Sequence, residues 1–132
     1  FVLSHDQEND ADVIAGTAAS AALTISDVPF EGPIGTLRVG RVHTDDGAKF
    51  VLNPTVSQLE FSDLDLVLSG HADGINMIEV GAAEISEQDM MAALNFGYGQ
   101  IHEVLAMINE LKAKAGREKV VGDLFLPAPE VT

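Results

Sequence analysis

The chain has 132 residues, 46% of them hydrophobic, and its 21 acidic and 7 basic side chains give a net charge of −14. This length suits about one domain, and the acidity argues against a phosphate-binding surface, because affinity for nucleic acid comes largely from Lys and Arg. The absence of cysteine excludes disulfides and thiolate metal sites, and no apolar run approaches the roughly 20 residues that span a bilayer. We therefore expect a soluble protein with no membrane partner, compatible with a cytoplasmic location.

The first residue is Phe1 in place of an initiator Met, and the strand-like residues Val2 and Leu3 follow it. We predict a short strand over residues 1–4 and a polar loop over residues 5–9. This start also predicts that the sequence begins inside a larger reading frame; a processed mature terminus is the alternative.

An alanine-rich segment, Ala11–Ile25, is predicted to be a helix with Asp10 or Asn9 as its N-cap, because both residue types accept hydrogen bonds from first-turn amides. Its side chains carry little volume, so the helix can lie very close to a sheet. We expect a buried packing helix. Asp27 and Pro29 are expected to end it.

Two β-hairpins are predicted from strand-like runs that are separated by turn residues. The first pairs Ile34–Val42 with Lys49–Asn53 around residues 44–47, and the second pairs Asp65–Ser69 with Ile75–Val80 around residues 71–74. A helical turn, Thr55–Glu60, is expected between them.

The last predicted element is a long helix from about Glu87 to Ala115, with Ser86 placed to cap its first turn. Its apolar residues follow the spacing of one helix face: Leu94, Ile101, Val104, Leu105, Ile108 and Leu111. Gly97 and Gly99 weaken its middle and permit close backbone approach there. The elements together predict an α+β, two-layer fold, with β-hairpins packed on the alanine-rich helix and on the long C-terminal helix.

Three stretches of the chain carry a resemblance to a known family: Pro29–Gly35, Val51–Thr55, and Leu64–Gly81 followed by the long helix. In this order they resemble the first of the two RNase PH-like domains of bacterial polynucleotide phosphorylases. The resemblance implies that residues 1–118 are the C-terminal half of that domain and that residues 119–132 are a linker towards a helical domain. The remaining domains of such proteins do not fit in 132 residues, so we expect a fragment.

The resemblance also implies an activity for the parent protein. It is expected to be a 3′→5′ phosphorolytic exoribonuclease, or polyribonucleotide nucleotidyltransferase, which degrades mRNA with phosphate and releases nucleoside diphosphates. Mg²⁺ and inorganic phosphate are expected to bind outside this fragment, and RNA is expected to bind through the parent protein. The other implied partners are the second RNase PH-like domain of the same chain and the further copies of a cytoplasmic homotrimer.

In the catalytic copy of this family, serines hold phosphate at the N-terminus of the alanine-rich helix, where free amides meet the positive end of the dipole. Alignment on Ala19–Leu23 places Asp10, Ala11 and Asp12 at those positions. The two carboxylates are expected to cap the helix and to repel phosphate by a few kcal/mol at an effective dielectric of about 20. The fragment is therefore expected to be the non-catalytic, structural copy and to be inactive alone.

The catalytic copy also carries an acidic residue ahead of an Asp-x-Lys pattern, and its carboxylates hold a divalent metal. The resemblance places this pattern on Leu59, Asp65 and Val67, so only Asp65 remains. Asp63 lies two residues earlier on the same strand, and an extended strand places both carboxylates on one side. Asp63 and Asp65 are vestigial catalytic candidates, with a solvated or capping role as the favoured alternative. No metal site is expected, and the four histidines lack metal-ligand spacing.

Three basic residues of the first hairpin, Arg38, Arg41 and Lys49, are weak candidates for a surface that touches RNA. Ordinary solvated strand charges are the favoured alternative. Two other interpretations of the whole chain stay open: a stand-alone acidic α+β interaction domain without catalysis, and a single-domain RNase PH-type enzyme. The missing serines and the missing Lys disfavour the second.

Overall fold

The computed structural model describes residues 1–122 and contains three helices and four strands in that range. In chain order these are α1 (Ala11–Ile25), β1 (Gly35–Thr44), β2 (Gly47–Leu52), α2 (Val56–Leu59), β3 (Ser62–His71), β4 (Gly74–Ala82) and α3 (Glu87–Ala115). The predicted helices and both hairpins are confirmed, with strand ends that differ by a few residues.

The predicted strand at residues 1–4 is wrong, because this segment has no regular secondary structure. A strand needs a neighbour to pair its backbone groups. The sheet within residues 1–122 contains only the strands of the two hairpins, so this segment has no partner there.

The four strands form one antiparallel sheet in the order β2, β1, β3, β4. The central pair is β1 with β3, in a register that sets Val39 opposite Leu66. A bulge between Gly40 and Val42 interrupts this register. The two hairpins therefore meet through their first strands, and β1 lies between β2 and β3 where its side chains can contact several other elements.

The core lies between α3 and the two central strands. Leu37 and Val39 of β1 and three leucines of β3, Leu64, Leu66 and Leu68, pack against Ala93, Ile101 and Leu105 of α3. Each large side chain among them is almost fully buried, which contributes about 1.5 to 3 kcal/mol by removing apolar surface from water. None of the helices within residues 1–122 combines the length and the apolar character required to cross a membrane.

Helix α1 lies beside the first residues of β1, beyond the end of β2. The hydroxyl of Thr17 donates to the carbonyl of Thr36 at 3.3 Å and accepts from its amide at 3.4 Å. A Cβ atom added at Gly16 would lie 2.9 Å from the Thr36 hydroxyl, which confirms the predicted close approach. The α+β class is confirmed as well. The two-layer description is confirmed too, because α1 contacts both β1 and α3.

The residues that follow α3 return to α1. The ammonium group of Lys119 donates to three carbonyls at the C-terminal end of α1, those of Leu23, Thr24 and Ser26, at 2.7, 3.1 and 2.7 Å. A cation is favourable there because this end carries the negative pole of the helix dipole. The domain boundary at residue 118 and the linker over residues 119–132 stay predictions, and residues 123–132 lie outside the described part of the chain.

The packing of α3 on the sheet predicts opposite effects for alanine at its two internal glycines. A Cβ atom at Gly97 would lie 2.7 Å from a methyl group of Leu68 and 3.0 Å from one of Val39, whereas one at Gly99 meets nothing within 4 Å. We expect Gly97→Ala to destabilise the protein by about 1 to 3 kcal/mol through overpacking. Gly99→Ala, the matched control, should stabilise it by about 0.5 to 1 kcal/mol. Urea unfolding measures both, and equal effects would contradict the described packing.

Candidate functional site

Arg38 lies at the centre of the candidate site and is 9% exposed. Its backbone is held by Asn53, which accepts from the Arg38 amide through Oδ1 at 2.9 Å and donates its own amide to the Arg38 carbonyl at 2.8 Å. Asn53 has a φ of +45°, a left-handed conformation that Asn tolerates better than most residues. Asn53 thus ends β2 and continues its pairing with β1 beside Arg38.

Three carboxylates surround the guanidinium of Arg38. Asp10 pairs with Nη1, Asp12 Oδ2 lies 2.7 Å from Nη2, and Asp65 Oδ1 lies 3.2 Å from Nε. Asp10 and Asp12 come from the start of α1 and Asp65 comes from β3, so one cation joins a helix to the sheet. The three carboxylate side chains are about half exposed, at 40%, 54% and 49%. The three carboxylates are therefore partly solvated by water. The buried guanidinium of Arg38 is not, so its charge is balanced by these carboxylates.

The predicted capping role of Asp10 is wrong. Asp10 is the N-cap residue by position, yet its side chain makes no cap hydrogen bond. The reason is competition: the same carboxylate is paired with Arg38, and a charge-assisted contact to a buried guanidinium is stronger than a cap. Asp12, two residues on, accepts from the Val13 amide through Oδ1 at 2.6 Å while its other oxygen contacts Arg38.

The loop before α1 is ordered by Asp6. Its carboxylate accepts from the amides of Asn9 at 2.8 Å and Glu8 at 2.9 Å, and from the Asn9 side chain at 2.6 Å. These bonds, the Asn9 amide first, lower the pKa of Asp6 from 3.8 to about 2, because they favour the charged form. The Glu8 carbonyl also accepts from the Val56 amide at 2.8 Å. The loop is thereby tied to α2, which fixes where the chain enters α1 and where Asp10 lies.

A second ion-pair cluster lies at the other end of β1, around Arg41. Its guanidinium is 2.7 Å from Asp63 Oδ2 and 3.4 Å from Asp89 Oδ2, and His43 Nε2 is 2.7 Å from the same Asp63 oxygen. Asp89 lies in the first turn of α3, where it also accepts from the Ser86 hydroxyl at 2.8 Å. This cluster joins β1, β3 and the start of α3, so its first role is structural.

The two vestigial candidates pair with different arginines, Asp63 with Arg41 and Asp65 with Arg38. Within residues 1–122, no group of three or more His, Asp or Glu side chains is arranged to hold a metal ion. Asp63 and Asp65 each have a guanidinium partner already, so these two residues do not fit a Mg²⁺ ion. Lys49, the third basic candidate, is largely exposed on β2 and lies 3.6 Å from Asp46.

Sequence reasoning missed several partners of these clusters: Asn53, His43 and Asp89. Asn before proline at the end of a predicted strand is a local signal for a special backbone conformation, so Asn53 could have been found. His43 and Asp89 carry no such signal, because their contacts join elements that are distant in sequence.

Comparison with known proteins extends this description. Residues 32–100, which are 69 of the 132 residues, match the 3′ exoribonuclease family, domain 2. The matched stretch runs from the loop before β1 into α3. It contains Arg38, Asp65 and the whole Arg41 cluster, whereas Asp10 and Asp12 precede it. The sheet, its covering helix and the site therefore define an RNase PH-type α+β domain. The chain belongs to the 3′ exoribonuclease family.

Several relatives named polyribonucleotide nucleotidyltransferase are similar to nearly the whole chain. The protein of Geobacillus kaustophilus (strain HTA426) is 47% identical over 129 residues, which are 98% of this chain and 17% of the relative. That of Gemmatimonas aurantiaca is 51% identical over 114 residues, 86% of this chain and 15% of the relative. That of Bacillus subtilis (strain 168) is 45% identical over 125 residues, which are 95% of this chain and 17% of the relative. The chain thus spans about one sixth of the length of these relatives.

A solved structure shares the fold. Rice (Oryza sativa) Rrp46 superposes with a TM-score of 0.68 at 15% sequence identity, over 80% of this chain and 50% of that chain. At this identity the likeness concerns the fold alone. It supports the predicted RNase PH-like α+β class.

The Arg38 cluster predicts that removal of its cation destabilises the fold. Arg38→Met keeps much of the side-chain volume and leaves Asp10, Asp12 and Asp65 without their shared partner. We expect a loss of about 2 to 3 kcal/mol, below the 3 to 5 typical of a wholly buried pair because these carboxylates are half exposed. Lys49→Met, the control at an exposed ion pair, should change stability by less than about 0.5 kcal/mol. Urea unfolding compares them, and equal losses would show that the Arg38 contacts add nothing.

The Asp6 loop predicts a titration at unusually low pH. Because the pKa is depressed, the contribution of the loop to stability is present above pH 3.8 and is lost as the pH falls through about 2. The Asn9 amide resonance should therefore shift with a midpoint of about 2, and Asp6→Asn should abolish this titration. A midpoint at the ordinary value of 3.8 would contradict the described hydrogen bonds.

Proposed function

We propose that the chain is part of a polyribonucleotide nucleotidyltransferase that shortens RNA from its 3′ end by phosphate attack and releases nucleoside diphosphates. The match of residues 32–100 to the 3′ exoribonuclease family supports this proposal. The relatives of that name, which are 45% to 51% identical over most of the chain, support it further. The activity belongs to the parent protein, of whose relatives this chain spans 15% to 17%.

Within that parent, we propose that this chain is the non-catalytic RNase PH-like copy, with an architectural role. The observation that carries the proposal is the pairing of Arg38 with Asp10 and Asp12 at the start of α1. An attacking phosphate needs positive charge and free donors. A phosphate about 4 Å from a carboxylate is repelled by roughly 4 kcal/mol per unit charge at an effective dielectric of 20. The nearest cation, Arg38, already pairs with both of these carboxylates.

The contacts with RNA, phosphate and Mg²⁺ then lie elsewhere in the parent. The net charge of −14 supports this, as do the carboxylate partners of both Arg38 and Arg41. Exposed apolar side chains on β4, Met77, Ile78 and Val80, support packing against a partner surface. We propose the second RNase PH-like domain and the further copies of a homotrimer as the partners, and the cytoplasm as the location.

Phosphorolysis by the full-length parent tests the non-catalytic role. The double variant Asp63→Asn/Asp65→Asn should keep kcat/KM within about threefold of wild type, because neither carboxylate would hold a catalytic metal. The control is the equivalent Asp of the second RNase PH-like domain, whose change to Asn should lower kcat/KM by at least about a hundredfold. The isolated 132-residue chain should release no diphosphates in a phosphate-dependent manner.

The outcome that contradicts the proposal is a loss in the Asp63/Asp65 variant as large as in the control variant, in protein that keeps its oligomeric state and melting temperature. Phosphate-dependent activity of the isolated chain that Asp65→Ala removes would contradict it as well.

A further inference from the structure

A cavity of about 750 Å³ lies between the loop before β1, the turn that joins β3 to β4, and the second half of α3. This volume is in the range of cavities that hold small molecules. Neither arginine cluster contributes a side chain to its lining. The cavity is therefore separate from the candidate functional site.

Two contacts hold the walls of this cavity against α3. A Cβ atom at Gly35 would lie 3.2 Å from both Ile101 and Val104, so the missing side chain lets the start of β1 approach the helix closely. In the other wall, the hydroxyl of Tyr98 donates to the Ala72 carbonyl at 2.9 Å and holds the β3–β4 turn. The walls are fixed in the free protein, which lowers the cost of binding a ligand.

The lining combines apolar side chains with two carboxylates. Leu105 is buried, and Phe30 and Ile34 are partly buried. Glu31 in the loop and Asp73 in the turn are exposed at the opening of the cavity. With histidine counted as neutral, the lining residues within 1–122 carry two negative charges and no positive one. This charge favours a cation over an anion.

The chain supplies no cation of its own to these carboxylates. Among the ion pairs within residues 1–122, none involves Glu31, and Asp73 has only a contact of 3.8 Å with His71 Nδ1. The same nitrogen accepts from the Asp73 amide at 3.2 Å. A ring nitrogen that accepts carries no proton, so this contact gives Asp73 no positive partner. Residues 123–132 contain neither Lys nor Arg. A balancing charge has to come from outside the chain.

We propose that this cavity binds a small organic cation, an amine or a guanidine carried on an apolar body. The apolar part packs against Phe30, Ile34 and Leu105, and the positive group lies at the opening between Glu31 and Asp73. Small-molecule sites divide the work in this way, because apolar surface supplies burial and a few polar groups set the orientation. The inference does not rest on the proposed function.

Three probes that share one apolar body test the proposal. Phenethylamine is a cation, phenethyl alcohol is neutral and hydrocinnamate is an anion. Each is titrated into the 132-residue chain at equal ionic strength while the amide resonances are recorded. We expect phenethylamine to cause saturable shifts at residues 30–34, 71–73 and 102–109. It should bind about fivefold more tightly than the alcohol, because exposed carboxylates attract a cation only modestly. Hydrocinnamate should bind more weakly than the alcohol.

Variants locate the ligand. Glu31→Gln/Asp73→Asn should lower the affinity for phenethylamine to that for the alcohol and leave the alcohol unaffected. The matched control, Asp45→Asn/Asp46→Asn, makes the same change of net charge at the opposite end of β1 and should keep the affinity within about twofold. Ala106→Phe fills the cavity from an exposed position on α3 and should weaken amine and alcohol alike, by at least about tenfold.

An absence of saturable shifts with phenethylamine, in a chain whose spectrum shows it folded, would overturn the site. Equal affinities for amine and alcohol would overturn the choice of a cation. Equal losses in the two charge variants would reduce the binding to general attraction by an acidic protein, and unchanged binding by Ala106→Phe would place the ligand elsewhere. A lysine side chain of another protein is the other source of such a cation. A tetralysine peptide that displaces phenethylamine at lower concentration would overturn the assignment to a small molecule.

Discussion

The ion pairs of one buried guanidinium connect the start of α1 to the centre of the sheet. Arg38 lies on β1, and within residues 1–122 its carboxylate partners come from the start of α1 and from β3, both distant from it in sequence. An arginine buried without such partners would destabilise the fold by several kcal/mol. The position of α1 and the chemistry of its amino end are therefore fixed by the same contacts.

The same kind of contact recurs at the other arginine of β1. Both arginines of β1 are neutralised within the domain, Arg38 by one cluster and Arg41 by the other. The carboxylates join the helices to the sheet through these ion pairs. At the start of α1, Arg38 pairs with Asp10 and Asp12, so these side chains serve the packing of the helix against the sheet.

Much of the fold follows from local sequence signals. The helix Ala11–Ile25, the cap at Ser86 and the turns of both hairpins are set by residues within a few positions of one another, and all were predicted. The two internal glycines of α3 look alike in sequence, and only the packed structure shows that Gly97 contacts the sheet while Gly99 faces open space.

The site was predicted less well than the fold. Asp10, Asp12, Asp65 and Arg38 were each singled out from the sequence, yet as members of separate features. The contacts between these residues depend on tertiary packing. The same packing explains why Asp10 pairs with Arg38 and does not cap the helix. A crystal structure of the protein grown in concentrated phosphate tests the account most directly. We predict Asp10 and Asp12 in contact with Arg38 and no ion beside it; a phosphate bound to Arg38, with both carboxylates displaced, would contradict the account.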